Sequence, residues 1–521
     1  MRLGDFGEER LSRATEVLKK YFGYDSFREG QEQLVESILK GQDTFGIMPT
    51  GAGKSICYQV PALLLPGITL VISPLISLMK DQVYSLNQAG IHAAYLNSSL
   101  TPGQYRTALK RAGEGQYQII YVAPERLETP DFQAFAERVE ISMVTVDEAH
   151  CISQWGQDFR PSYLKIVSFI ERLEKRPVIS AFTATATKEV REDIIRVLGL
   201  RSPVVLVTGF DRKNLYFEVQ NIKNKQKFVL DYVQHHAEES GIIYCLTRKL
   251  VDELYEKLEE WDFPVARYHA GMTDEARRKS QEDFIYDFKP VMVATNAFGM
   301  GIDKSNVRYV IHYNMPKNME SYYQEAGRAG RDGGEARCIL LYEPKDVMLN
   351  RFLIEKGSER EGLSDAERQA VRARDEERLK RMTYYCRTRA CLRDYILRYF
   401  GEYGSDHCGN CGNCLNRFES VDVMDTAREK EATKAVRKKK SAVSELTAEE
   451  ALLFERLRGL RTEIARKEHV PPYVVFSDKT LIQMSCLRPK TKEAMLAVSG
   501  VGEHKLEKYG ERFLACLNAD E

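Results

Sequence analysis

Two short segments carry the glycine, lysine, hydroxyl and carboxylate groups that phosphate chemistry requires. GIMPTGAGKS (46–55) follows an apolar start and leads into the helix-like SICYQVPALLL. Thr50, Gly51 and Gly53 belong to a loop whose glycines let backbone N–H groups face phosphates. Lys54 would reach the β- and γ-phosphates, and the Ser55 hydroxyl would ligate Mg²⁺. A Gly-rich turn before an ordinary helix is the plainer reading. The complete Gly51-Ala52-Gly53-Lys54-Ser55 run in a strand–loop–helix setting argues against it. Alone, this loop indicates an NTPase and no more.

The second segment, VTVDEAH (144–150), places acids at the end of a buried strand. Asp147 suits holding Mg²⁺ through its water shell, and Glu148 suits orienting or deprotonating the attacking water. Such a pair is often just a solvated turn; its company with the phosphate loop favours the catalytic reading. A third segment, SYYQEAGRAGRDG (321–333), offers Gln324, Arg328 and Arg331 close together. A guanidinium against the γ-phosphate stabilises transition-state charge. Without the first two segments, a surface helix with solvated arginines would be the better reading.

CGNCGNC (408–414) presents Cys408, Cys411 and Cys414 at CxxCxxC spacing, with Gly409 and Gly412 permitting tight bends. Tetrahedral Zn²⁺ takes four ligands, so one must come from elsewhere. Cys391, Cys386 and His407 are the candidates, and His407 abuts Cys408 too closely to share its metal comfortably. An iron–sulfur cluster or free thiols are the competing readings.

These groups need a scaffold. At 521 residues the chain exceeds one hydrophobic core, and 43% apolar residues suffice for several domains. Its 76 basic and 76 acidic residues cancel, so any nucleic-acid groove must arise from local clustering. The charged N-terminus lacks a signal-peptide core, and prolines 61, 66 and 74 break the apolar stretch 60–79, so no membrane span is expected. Eleven cysteines, mostly scattered, suit a reducing cytoplasm.

Apolar runs TLVIS, QIIYVA, MVTVDE and VISAFTA alternate with helical patterns. After Gly209 the series restarts with GIIYCLT, VMVAT, VRYVIHY and ARCILLY. This predicts an α/β architecture of two tandem parallel-sheet domains, 1–208 and 209–345, with ligands at their facing edge. A helical zinc-binding module at 346–415, a basic linker at 416–446 and a small all-helical domain at 447–521 would follow.

DEAH, FTATAT (182–187), ATNAFGMGID (294–303) and QEAGRAGR (324–331) occur in the order seen in superfamily 2 helicases. FGYDSFREGQ (22–31) and HCISQWGQDFRPSY (150–163) resemble the RecQ branch specifically. The resemblance implies RecA-like lobes, ATP as fuel and 3′→5′ movement on DNA. It implies that Tyr24, Arg28 and Gln31 grip adenine. It also implies that His150, Trp155, Phe159 and Arg160 sense single-stranded DNA, Trp155 and Phe159 being suited to stacking. Asp303 would link nucleotide state to lobe closure, and Cys391 would complete the zinc site. VPPYVVFSDKTL (470–481) and VSGVGEHKLEKYG (498–510) resemble an HRDC module. There Tyr473 could stack on a base, and the SGVG turn with Lys505 and Lys508 could meet phosphate.

One departure is plain. RecQ proteins usually carry a winged helix between the zinc module and HRDC, but 416–446 is charge-rich and shorter than the roughly 50 residues a domain needs. The winged helix is expected to be absent. The resemblance further implies a monomer in the bacterial cytoplasm, near the nucleoid, acting on single-stranded and tailed duplex DNA. Single-strand-binding protein and topoisomerase would be its partners. An RNA helicase, a non-unwinding translocase and an inactive scaffold are the alternatives; intact Lys54, Ser55, Asp147, Glu148 and Arg331 argue against the last.

Overall fold

The computed structural model describes residues 5–156, 158–299, 304–358, 365–415, 446–468 and 470–518. Asp303 and the basic run at 437–440 lie outside them.

The first lobe is a seven-stranded sheet. Its strands are β1 (Thr44–Ile47), β2 (Ile68–Ile72), β3 (Ala93–Leu96), β4 (Ile119–Val122), β5 (Ile141–Val146), β6 (Val178–Thr183) and β7 (Val204–Val207). They lie in the order β3-β4-β2-β5-β6-β1-β7, all parallel. Parallel strands need crossover helices, which cover both faces and make the central strands apolar throughout. That is why β2, β4 and β5 read as continuous apolar runs; the 68–73 stretch is the sheet interior, and no helix among the described residues could cross a membrane. Because β5, β6 and β1 are neighbours, the loops leaving their C-terminal ends (147–148, 184–187 and 48–53) lie side by side.

The second lobe repeats the plan with six parallel strands: β8 (Leu215–Asn221), β9 (Ser240–Tyr244), β10 (Val265–Tyr268), β11 (Val291–Ala294), β12 (Val307–His312) and β13 (Ala336–Tyr342). Their order is β10-β11-β9-β12-β13-β8. Strands then cease. Helices Pro344–Ser358, Asp365–Arg387 and Leu392–Tyr399 lead to the cysteine-rich knuckle. The knuckle covers the sheet's edge: Cys411 bridges Phe217 of β8 in parallel, and the Gly412 N–H donates to the Phe217 carbonyl at 2.8 Å. An open strand edge is thereby closed by the metal-binding segment.

Five helices, Ala448–Glu468, Pro472–Val475, Asp478–Leu487, Lys492–Leu496 and Glu503–Leu517, form a separate core around Leu457, Phe476, Val498 and Phe513. This module packs on the first lobe. The Gly500 N–H donates to the Gly23 carbonyl at 2.8 Å, and a Cβ on Gly23 would lie 2.7 Å from the Val501 backbone. Gly23, with φ +74°, thus permits both the turn and the close approach.

Candidate functional site

The phosphate loop leaves β1 and ends at the helix Lys54–Ala62, so its N–H groups and the helix N-terminus converge on one point. Gly51 and Gly53 take φ of +88° and +81°. A Cβ on Gly53 would sit 2.6 Å from Gln31 Nε2, so glycine there serves both conformation and space. Lys54 Nζ donates to the Met48 carbonyl at 3.1 Å. Burial pulls the Lys54 amine down; Glu148 and Asp147 oppose this, and Arg331 reinforces it.

At the end of β5, Asp147 accepts from the Glu148 N–H at 3.0 Å, and Tyr163 donates to the Asp147 carbonyl at 3.0 Å. Burial and neighbouring Glu148 push the Asp147 carboxyl up to about 7, against the pull of Lys54. Two acids crowded into a dry cleft fit a divalent cation, whose charge would relieve both. Glu148 is a non-glycine residue at φ 47°, ψ 47°, a strained conformation of the kind that clusters at working sites. His150 lies 2.9 Å from Thr183 Oγ1 and 3.3 Å from Glu148 Oε2, and burial lowers its pKa.

The second lobe closes against this surface. Gln324 Nε2 donates to Thr185 Oγ1 at 2.9 Å, across the lobes. The Arg331 side chain abuts the phosphate loop, its Cγ 3.5 Å from where a Gly51 Cβ would stand. Arg328 instead turns back into its own lobe and donates to the Gly299 carbonyl. Arg212, on the segment joining the lobes, donates to the Thr50 carbonyl at 2.9 Å and to the carbonyls of Gly327, Ala329 and Gly330 at 3.2, 2.9 and 2.8 Å. Sequence reasoning missed Arg212 and Thr185. Arg212 bonds backbone carbonyls, which carry no signature of their own, whereas Thr185 lies within the FTATAT segment.

Arg28 Nη1 reaches the Gly51 carbonyl at 2.8 Å, and Gln31 Nε2 the carbonyls of Ala52 and Gly53 at 3.1 and 3.0 Å. Tyr24 is 39% exposed beside them in sequence, its ring open to a stacking partner. Trp155 is 49% exposed with the Arg374 guanidinium 5.2 Å from its ring centroid. Arg378 donates to the Trp155 carbonyl and contacts Glu320 of the second lobe at 3.6 Å. Phe159 is half-buried, and Arg160 donates to Asp158 and to the Pro74 carbonyl at 3.1 Å. The aromatic loop is thus held by the helix Asp365–Arg387 of the next module, a contact with no sequence signal.

Cys391, Cys408, Cys411 and Cys414 hold their sulfurs within 4.8 Å of one another. Cys408–Cys414 and Cys411–Cys391 separations are 3.9 and 4.0 Å. A Zn²⁺ with bonds of about 2.3 Å needs sulfurs roughly 3.8 Å apart, so the four thiols fit it. Cys386 is buried away from the cluster, its thiol raised well above the usual range by burial, and His407 is exposed. In the C-terminal module, the SGVG turn faces the first lobe, committing the Gly500 N–H to Gly23. Lys505 is half-buried 6.0 Å from the Phe476 ring centroid, and burial brings its amine down to about 8. Tyr473 is half-buried.

Comparison with known proteins agrees with this geometry. Family models for DEAD/DEAH box helicase (28–193), helicase conserved C-terminal domain (224–333), RecQ zinc-binding (344–415) and HRDC domain (450–517) match in succession. The chain is 41% identical to the ATP-dependent DNA helicase RecQ of Bacillus subtilis, over 98% of this chain and 99% of that one. It is 35% identical to the Haemophilus influenzae RecQ, over 97% and 95%. The solved structure of Mycobacterium smegmatis helicase Lhr shares the fold with a TM-score of 0.52 at 20% identity, over 68% of this chain and 55% of that chain. With four family models in order and a near full-length match to curated relatives, this chain belongs to the RecQ family of ATP-dependent DNA helicases.

Proposed function

We propose that this helicase moves 3′→5′ along single-stranded DNA, opens tailed duplexes, and serves DNA repair and recombination at the bacterial nucleoid. The observation that carries the motor reading is the meeting of lobes at one point, with Arg331 against the Gly51 loop and Gln324 on Thr185. ATP would lie between them. The Thr50–Gly53 N–H groups and Lys54 cradle the phosphates, and Tyr24, Arg28 and Gln31 frame the adenine. Ser55 and Asp147 would hold Mg²⁺, which when bound would neutralise phosphate charge. Glu148 takes a proton from the attacking water, and Arg331, backed by Gln324, meets the γ-phosphate as charge develops. Arg328 would act from one layer back, since its guanidinium bonds the Gly299 carbonyl of its own lobe.

His150 lies beside Glu148 and begins the aromatic loop, so a base stacking on Trp155 or Phe159 would move the groups that align water. This is the route by which DNA stimulates hydrolysis. Arg160 anchors that loop to Pro74, while Tyr473 and Lys505 add weaker DNA contacts. The protein works as a monomer. It lacks a winged helix on this reading, which is supported by an alignment to Bacillus subtilis RecQ of 593 positions, more than the 521 residues here. Single-strand-binding protein and topoisomerase are its proposed partners. ATP turnover with no oligonucleotide, a DNA strand or an RNA strand tests substrate choice, and displacement of blocks from either end of a single strand tests polarity. Equal stimulation by RNA, or movement toward the 3′ end, would overturn the reading.

A further inference from the structure

Arg212 occupies the seam of the closed lobes. It lies in the segment between β7 and β8 and is half-buried, yet among the described residues no carboxylate bonds its guanidinium. Every terminal bond goes to a backbone carbonyl: one of the first lobe's phosphate loop, at Thr50, and three of the second lobe's turn, at Gly327, Ala329 and Gly330. That turn leads directly into Arg331. Asn214 secures its far side, donating to the Gly330 and Gly334 carbonyls at 2.8 Å each. From below, Arg393 of the zinc module donates to the Arg212 carbonyl and to Asp211, both at 2.7 Å, which fixes the segment's position.

Even a half-buried cation loses solvation when no carboxylate bonds it, so its placement calls for a return. A planar fork with five N–H donors can bond several carbonyls at once; an ammonium on a flexible stem cannot hold the same geometry. The Thr50 bond exists only when the lobes meet, and opening the cleft must break it. We propose that Arg212 is a positioning residue for hydrolysis, whose fork clamps the 327–330 turn to the phosphate loop on closure and so seats Arg331 for the transition state. The inference rests on the role given to Arg331 above.

The test compares Arg331→Ala, Arg212→Gln, Arg212→Lys and the Arg212→Gln/Arg331→Ala double variant in the full chain with saturating single-stranded DNA. A misplaced catalytic group typically costs one to two orders of magnitude, so Arg212→Gln should lower kcat about tenfold or more. KM for ATP and affinity for the ground-state analogue AMP-PNP should change less than about threefold, while affinity for ADP–aluminium fluoride falls with kcat. Arg212→Lys should not restore turnover, and the double variant should match Arg331→Ala alone, because residues acting as a unit are not additive. Asn214→Ala, which frees one side of the same turn, should show the same kcat-selective loss in milder form. Normal kcat in Arg212→Gln, rescue by lysine, additive losses, or equal loss of AMP-PNP binding would each overturn the proposal. If Arg331→Ala itself turned over normally, the failure would lie in the role assigned to Arg331.

Discussion

Lys54 and Glu148 share the phosphate cleft but answer to different steps. Lys54 brings a cation into a partly buried position next to two acids, and burial pulls its amine down in spite of them. Lys54→Ala is therefore expected to abolish ATP hydrolysis, because it removes the charge that meets the β- and γ-phosphates. Glu148 sits in a strained backbone conformation within reach of His150. Glu148→Gln should bind ATP yet turn over slowly, since only the proton acceptor is lost; fluorescent-nucleotide binding beside steady-state turnover separates the two. Near-normal turnover by either variant would remove the assigned role. At the same scale, Trp155→Ala should weaken single-strand binding by about 1–3 kcal/mol, the worth of one stacked base. It should also depress DNA-stimulated hydrolysis while leaving the DNA-free rate unchanged. An unchanged stimulation would show that the exposed ring is not a stacking platform.

At the level of elements, the zinc knuckle does two things that its own sequence does not announce. It covers the β8 edge of the second sheet through Cys411 and Gly412, and the helix after Cys391 supplies Arg393 to the inter-lobe segment. Metal removal should therefore reach beyond the knuckle. Elemental analysis is expected to find about one zinc per chain held by four thiolates. Cys391→Ser should lose the metal and lower the unfolding midpoint. Cys386→Ser should keep it, because that thiol is buried among apolar side chains away from the cluster. The opposite pattern would make Cys386 the fourth ligand.

Over the whole molecule, the two lobes, the zinc module and the C-terminal module are welded by contacts the motor must partly break in use. The C-terminal module's turn sits on Gly23, next to Tyr24, and Lys508 donates to Gln88 at 2.5 Å. Its backbone N–H at Gly500 is already spent there, so this turn can meet a phosphate only by leaving the first lobe. On the proposed reading without a winged helix, a duplex would be held by side-chain phosphate contacts, which bind without orienting a fork and weaken as counterions compete. Unwinding is accordingly expected on substrates with a 3′ single-stranded tail, weak on blunt duplex and steeply reduced by added salt. Gel-based unwinding of matched tailed and blunt substrates across a salt series checks this. Efficient, salt-insensitive opening of blunt ends would require a separation element within the described modules.

The sequence by itself determined the chemistry that lies within contiguous residues. A phosphate loop works through its own backbone N–H groups, and a knuckle through three thiols on one bend, so spacing is sufficient to find either. It also revealed the interior strands, because parallel strands with both faces covered must be apolar throughout. The strands that escaped notice include β3, β7, β8 and β10, the edges of the two sheets, whose partly exposed residues break the apolar run. β1 was legible only as the short apolar start before the phosphate loop, its glycine at 46 making room for Phe182 where a side chain would collide. Only the tertiary structure decided which distant segments meet. Spacing left Cys391, Cys386 and His407 open as fourth ligand, and it could not separate Arg331 from Arg328, one against the phosphate loop and one turned inward. Nor could it place Arg212, Arg378 or the Gly500 turn. Their bonds across modules run largely to backbone carbonyls, which every residue possesses, so the choice among them is made by how the lobes pack.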